Sequence, residues 1–310
     1  MGIKVSTVRV CGFRGIENAE ILLGDNTILT GTNNSGKTSF LKALQVSLGN
    51  RNFLSPDDFY MRDSLLADKI VIDILIKPED GEEFSEDWEI LFTTDRIRFD
   101  QDGNAFIPLR TVVLFDPIKN SFKTEQFIQQ NWPSFEAEEE FWYNQENGNS
   151  TSFHFDEVPF FYVNAQRDII EDTKLKSSYL GKMLSKVEYS DTDVKEIEDE
   201  IDRLNQKAVN SSPILTNIKT SLKGLDSAMN SHGSGVEITP FTKKIRDLNK
   251  GMTIYYSDYE ESFSMEYHGM GTRSWSSLLT LKAFINLLSK NAENEGRVFF
   301  PILAIEEPES

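Results

Sequence analysis

Between residues 31 and 38 the chain reads Gly-Thr-Asn-Asn-Ser-Gly-Lys-Thr, and no other run restricts the fold as much. Every fixed position of a phosphate-binding P-loop is met: Gly31, the pair Gly36-Lys37 and the hydroxyl residue Thr38. Such a loop belongs between a strand and a helix. Asn26 to Thr30 reads as a short strand, and Ser39 to Leu48 has helical apolar spacing. Gly31 and Gly36 let the backbone curl so that successive N–H groups point at phosphate oxygens, with the positive end of the helix dipole beneath them. Lys37 would neutralise the β- and γ-phosphates, and Thr38 would offer its hydroxyl to Mg2+. With Asn33, Asn34 and Ser35 in the loop and Ser39 opening the helix, the run predicts a nucleoside triphosphate site; a chance glycine-rich turn has no reason to sit in that context.

Composition narrows the class. A chain of 310 residues, 39% of them hydrophobic, can hold one large α/β domain or two smaller ones. The single cysteine, Cys11, argues against a disulfide framework and fits a reducing cytosol, so a cytoplasmic location is expected. No apolar run is long enough to span a bilayer, so no membrane partner is expected, and the N-terminus lacks a signal pattern. Met1 to Ser6 formally fits a myristoylation motif, but the same residues open an alternating strand. The net charge of −18 disfavours nonspecific nucleic-acid binding by the body of the domain. Any DNA contact must be local or come from another segment. The acids crowded between Glu79 and Asp102 have no His or Cys companions at ligand spacing and read as a solvated hairpin edge.

Along the chain, Lys4 to Phe13, Ala19 to Leu23 and Asn26 to Thr30 predict a sheet leading to the P-loop. Lys69 to Ile76, Trp88 to Phe92, Arg96 to Phe99 and Thr111 to Phe115 predict an antiparallel meander, and Glu136 to Asp156 a surface loop. Val158 to Val163 is a strand that delivers Asn164 to Asp168 to its C-terminal end, where ligands gather in open α/β sheets. Helices then run to about residue 232. Val194, Ile197, Ile201, Leu204 and Ala208 keep 3-4 spacing, as do Leu215, Ile218, Leu222, Leu225 and Met229, with a break at Ser212-Pro213. This insertion fits equally a helix pair packed on the sheet and an intermolecular seam. Strands resume at Met252 to Tyr256 and Ser262 to Tyr267. A turn, His268 to Ser274, precedes a long helix to about Leu288, and Ile302 to Ile305 is a short buried strand ending in Glu306-Glu307-Pro308-Glu309.

Paired acids at a strand end suit a P-loop, because one can hold Mg2+ and the next can orient or deprotonate the attacking water. Glu306 is the candidate metal-side acid and Glu307 the candidate base. Other chemistries are less well served. His154, His232 and His268 have no partner at zinc spacing, Cys11 lies inside a strand, and there is no nucleophile elbow or guanine-reading Asn-Lys-x-Asp motif.

Taken together, these stretches resemble the ATPase domain of OLD-family (overcoming lysogenization defect) proteins, within the ABC-type group that includes RecF, Rad50 and SMC proteins. Val8 to Ile16 is similar to the family's first strand and Phe-Arg-Gly turn, which adds Arg14 to the nucleotide contacts. Phe161 to Asp168 is similar to the Q-loop strand, Gly269 to Arg273 to the signature loop, and Ile302 to Glu309 to the Walker B strand. The resemblance implies an α/β P-loop NTPase of ABC-head type with an antiparallel meander and an inserted helical dimerisation subdomain. Residues 1–168 would carry the P-loop and Q-loop, 169–235 the helical insertion, and 236–310 the signature loop and Walker B strand.

ATP would be the nucleotide, with Mg2+ organised by Thr38, Gln166 and Glu306. Lys37 and Glu307 would be catalytic, and Gly269, Gly271 and Thr272 would reach the γ-phosphate of a partner head across a homodimer or higher homo-oligomer. A Toprim DNA nuclease of an antiphage-defence system, and with it DNA binding by the full-length protein and a defence partner protein, would lie beyond Ser310, as would the D-loop and switch histidine. The signature stretch lacks the Leu-Ser-Gly-Gly-Gln form, and Glu306 stands where many relatives carry Asp. The alternatives are a DNA-repair ATPase of the RecF, Rad50 and SMC type, or an ATP-dependent scaffold that recruits a separate effector; a transporter subunit would lack the Phe-Arg-Gly opening and the long insertion.

Overall fold

Apolar and polar residues alternate along Ile3–Phe13, and in the computed structural model this segment is strand β1 of a largely antiparallel sheet. It turns directly into β2 (Ile16–Leu22), and a small hairpin of β3 (Met61–Arg62) and β4 (Leu65–Leu66) precedes β5 (Lys69–Pro78). β6 (Arg98–Phe99), β7 (Ala105–Asp116), β8 (Ser121–Ile128) and β9 (Asn149–Thr151) follow. The order is β2-β1-β5-β7-β8-β9, with β6 beside β7. The structure describes residues 2–49, 54–79, 83–116, 121–135, 142–185, 189–222, 240–241, 254–258 and 261–306. These divide into two compact units, one of residues 1–165 and 285–309 and the other of residues 166–284.

The strand period of two sets the packing of the first unit. Ile70, Ile72, Ile74 and Ile76 line one face of β5 and join Val8, Val10, Ile107, Leu109 and Val113 in a core shared with helix α1 (Lys37–Ser47), which contributes Phe40, Ala43, Leu44 and Val46. Each such side chain fully buried contributes about 1.5–3 kcal/mol, so the P-loop helix is anchored on the sheet by its own apolar stripe. Polar ties fasten its far end. Ser47 and Thr111 share a hydroxyl hydrogen bond of 2.7 Å, and Gln126 donates to the Ser47 carbonyl at 2.8 Å.

The opposite face of the sheet carries charge. Glu20, Arg9, Asp73 and Arg110 stand in register across β2, β1, β5 and β7. Arg9 donates to Glu20 and to the Pro133 carbonyl and lies 4.2 Å from the Trp132 ring centroid. Arg110 donates to Asp73 and to the carbonyls of Trp142 and Gln145. Burial pushes the Asp73 carboxyl up, opposed by the hydrogen bonds and charge of Arg110 and the charge of Arg9. Residues 142–145 of the expected surface loop 136–156 are therefore a strap over this face, whereas residues 149–151 form β9. Trp142 is fully buried, its indole N–H donating to Asn18 at 2.9 Å, and Phe153 joins the core. Residues 136–141 of that loop lie outside the described residues.

Two expected strands of this unit are corrected. Trp88 to Phe92 belongs to helix α2 (Glu86–Phe92), because Phe84, Trp88 and Phe92 recur at a four-residue spacing and pack together and onto Phe153 and Phe155. Glu86, Asp87 and Glu89 thus sit in the first turn of a helix, where its dipole favours acids, and do not form a hairpin edge. Asn26 to Thr30 forms no strand. Ile28 is 85% exposed and the preceding residues fold into a turn in which Gly24 N–H donates to Thr27 Oγ1. Strand β8 was not anticipated, since its inward positions include the polar Gln126.

The second unit holds α3 (Ile169–Lys174), α4 (Tyr179–Leu184), α5 (Asp191–Ser211), α6 (Pro213–Leu222), a hairpin of β11 (Tyr255–Asp258) and β12 (Glu261–Ser264), and the part of α7 (Met270–Asn294) up to Phe284. The break at Ser212-Pro213 falls where the sequence places it. Within α5 the 3-4 stripe is only half-buried and Leu204 is exposed. Asn205 is buried instead, bonded in both directions to the Phe241 backbone. Leu225 and Met229 lie outside the described residues. Met265 to Tyr267, expected to end a strand, form a 3-10 turn, and α7 starts at Met270, so Gly271 to Arg273 are its first turn and only His268 and Gly269 precede it.

Candidate functional site

The first unit presents the P-loop at the N-terminus of α1. Gly36 is the residue before the helix, at φ 90°, a left-handed conformation that glycine adopts without a Cβ clash. Asn34 is also left-handed, at φ 66°, and asparagine tolerates this region better than most side chains. A Cβ on Gly31 would stand 2.6 Å from Ser35 Oγ, so the loop closes tightly there. No side chain caps α1 and no acid occupies its first turn. Its N-terminal amides and positive dipole end are thus offered to an external anion. Residues 31 to 35 are exposed, and Lys37 spans the loop, donating from Nζ to the carbonyls of Gly31 at 2.7 Å and Thr32 at 2.9 Å. Exposed amides, a helix N-terminus and a lysine at one mouth fit a polyphosphate.

Beside this loop lie two parallel strands. β10 (Phe160–Val163) pairs with β13 (Ile302–Ile305) from Phe160↔Ile302 to Val163↔Ile305, and Glu306 N–H continues the ladder to the Val163 carbonyl at 3.0 Å. Both strands therefore end at one place, and the C-terminal end of β13 delivers Glu306 to the P-loop. Thr38 Oγ1 donates to Glu306 Oε1, and the Tyr162 hydroxyl donates to Oε2 at 2.8 Å. Burial pushes the Glu306 carboxyl up, but hydrogen bonds from Thr38 and Tyr162, the charge of Lys42 and the Ala165 amide outweigh it and hold the group below its ordinary value. The acid is an anion at neutral pH.

A hydroxyl and a carboxylate are hard oxygen donors, suited to Mg2+, which is commonly held by one or two protein oxygens together with phosphate and water. Among the described residues there is no group of three or more His, Cys, Asp or Glu that could hold a metal ion. Thr38 and Glu306 are the residues that would hold it.

The remaining expected residues divide as follows. Asn33 and Ser39 lie in the loop and at the start of α1. Arg14, at the turn after β1, is held by Asp58, with Nε and Nη2 at 2.8 and 2.6 Å from Oδ1. Gln166, Gly269, Gly271 and Thr272 belong to the second unit. Glu307 lies outside the described residues. Tyr162 and Asp58 were missed by sequence reasoning. For Tyr162 a signal existed, a tyrosine in the strand that leads to Gln166; for Asp58 there was none, since its partner is 44 residues away.

A family profile described as "AAA ATPase domain" matches residues 3–310. No curated protein matches the chain. Among solved structures it is similar to the recombination mediator protein RecF with ATP in the RecFOR pathway, at 14% identity over 98% of this chain and 85% of that one, with a TM-score of 0.41. It is also similar to the Smc head domain with an extended coiled coil bound to the C-terminal domain of ScpA from Pyrococcus furiosus, at 12% identity over 99% and 91%, with a TM-score of 0.42. No helix among the described residues is long and apolar enough to cross a membrane.

Proposed function

The chain belongs to the AAA ATPase domain family, and from that premise we propose that it binds ATP at Gly31 to Ser39 and hydrolyses it with Mg2+ at Thr38 and Glu306. One observation carries the reading. Glu306 is brought from 268 residues away onto the hydroxyl of the P-loop threonine, with its carboxylate kept charged. The loop amides and Lys37 would hold the phosphates and Thr38 and Glu306 the metal, and the OLD-family resemblance implies that Gln166 would join them. A bound Mg2+ would offset the charge of the transferring phosphoryl group. Glu307, next along the chain, takes the proton of the attacking water.

We further infer a wider setting from the OLD-family resemblance. Two copies would close face to face, with Gly269, Gly271 and Thr272 of one reaching nucleotide on the other, and ATP turnover would regulate a Toprim DNA nuclease acting in cytoplasmic antiphage defence. The motif set supports this over a repair ATPase or a scaffold, because the helical insertion is short and Glu307 is a second acid that a scaffold does not need.

The test compares Lys37→Ala with Glu307→Gln. Lys37→Ala is expected to lose ATP binding, whereas Glu307→Gln is expected to keep ATP, lose turnover and accumulate an ATP-dependent dimer in solution. Equal loss of binding in both variants would overturn the role assignment. Plasmid cleavage by the full-length protein, stimulated or restrained by ATP, tests the nuclease setting.

A further inference from the structure

Within the second unit, two side-chain contacts lie one helical turn apart. Arg273 donates through Nε to Asp168 Oδ1 at 2.8 Å and through Nη2 to Oδ2 of the same carboxylate. Four residues further along each helix, Ser277 Oγ donates to Asp172 Oδ2 at 2.5 Å. A step of four residues stays on one helical face, so the two contacts form parallel rungs between the start of α7 and α3. The first rung is well shielded, with side-chain exposures of 22% and 15%. A two-point guanidinium–carboxylate pair also resists rotation as a single contact does not. Asp168 is at the same time the N-cap of α3, accepting from Ile170 N–H at 3.0 Å.

Position along the chain gives the rungs their meaning. Asp168 follows Gln166 by two residues, and Arg273 comes directly after Thr272. We propose that Arg273 is a positioning residue whose pairing with Asp168, reinforced by Ser277 and Asp172, makes the Gln166 segment and the Gly269 to Thr272 segment move as one body. This rests on the ATPase reading, in which both segments address nucleotide. Binding of nucleotide by Lys37 and the P-loop does not pass through these rungs, whereas alignment for hydrolysis does. Loss of the pair therefore lowers kcat and leaves affinity nearly unchanged.

The experiment uses the full-length protein with Asp168→Asn, Arg273→Gln, Ser277→Ala and the charge-exchanged double variant Asp168→Arg/Arg273→Asp. Asparagine is as good an N-cap as aspartate, so Asp168→Asn removes the ion pair and keeps the cap. Affinity for a fluorescent ATP analogue, kcat, KM and melting temperature are measured for each. Misalignment of about 1 Å costs roughly 100-fold in rate, so Asp168→Asn and Arg273→Gln are expected to lose on the order of 10- to 100-fold in kcat with little change in affinity or melting temperature. The double variant should recover part of the loss. Unchanged kcat in both single variants, or a joint fall of kcat, affinity and melting temperature, would overturn the proposal. Lys37→Ala run in parallel separates the two levels. If it abolishes ATP binding while Arg273→Gln turns over normally, only the positioning role falls; if it binds and hydrolyses ATP as the parent does, or if the parent itself hydrolyses no ATP, the proposed ATPase site fails and this inference with it.

Discussion

Asp73 and Arg110 face each other on β5 and β7 and are joined by two hydrogen bonds of 2.8 Å, with both side chains almost wholly buried. Together with Arg9 and Glu20 they make a charged row across the sheet face opposite α1, and the strap that carries Trp142 is hung on it by its carbonyls. Removing one member leaves the other charge buried and uncompensated, which costs about 3–5 kcal/mol. Asp73→Ala and Arg110→Ala are each expected to lose that much in urea unfolding. Asp73→Leu combined with Arg110→Met should recover much of it, less about 1–3 kcal/mol for the strap carbonyls left without donors. Single variants as stable as the parent would show that the row is dispensable.

Gly36 stands at φ 90° immediately before α1. Alanine there meets left-handed strain of about 1–2 kcal/mol. It relieves that strain by turning the peptide units that face the phosphates. Gly36→Ala should therefore lose ATP affinity by more than its loss of melting temperature implies, read by calorimetry and thermal melts on the same samples. Retention of parental affinity would count against the loop as the phosphate cradle.

Glu306 carries a pH signature. Its folded value lies below the ordinary 4.5, so its contribution to stability is present above the unfolded value and is lost as pH falls through the folded one. The stability gap between the parent and Glu306→Gln should be constant above about pH 5.5 and close only below the ordinary carboxyl value. Tyr162→Phe removes one of the hydrogen bonds that lower it. In that variant the gap at neutral pH should be smaller and should finish closing at a higher pH. Superimposable profiles for the parent and Tyr162→Phe would mean that Tyr162 does not hold the acid.

Much of this was legible along the chain. The P-loop, the strands at Lys69 to Ile76 and Ile302 to Ile305, and the break at Ser212-Pro213 are written in neighbouring residues, because loop curvature, strand alternation and helix starts are set by local backbone sterics and periodicity. Trp88 to Phe92 misled because a short apolar run suits either period; the aromatic cluster it joins draws in Phe153 and Phe155, which lie 61 and 63 residues beyond Phe92. Asn26 to Thr30 looked like a strand by composition, yet no neighbour offers it a ladder among the described residues.

The chain alone thus determined that a phosphate-binding loop exists, which residues line it and that two acids close a distant strand. That Glu306 pairs directly with Thr38, that Tyr162 steadies it, that Arg14 pairs with Asp58, and that the segment around Trp142 covers a buried row of charge all came from the fold. The physical reason is that a turn or a helix start depends on a few adjacent dihedral angles, whereas the partner of a polar group depends on which strand lies alongside. That choice is made by burial of the whole sheet, far from the residues whose chemistry it decides.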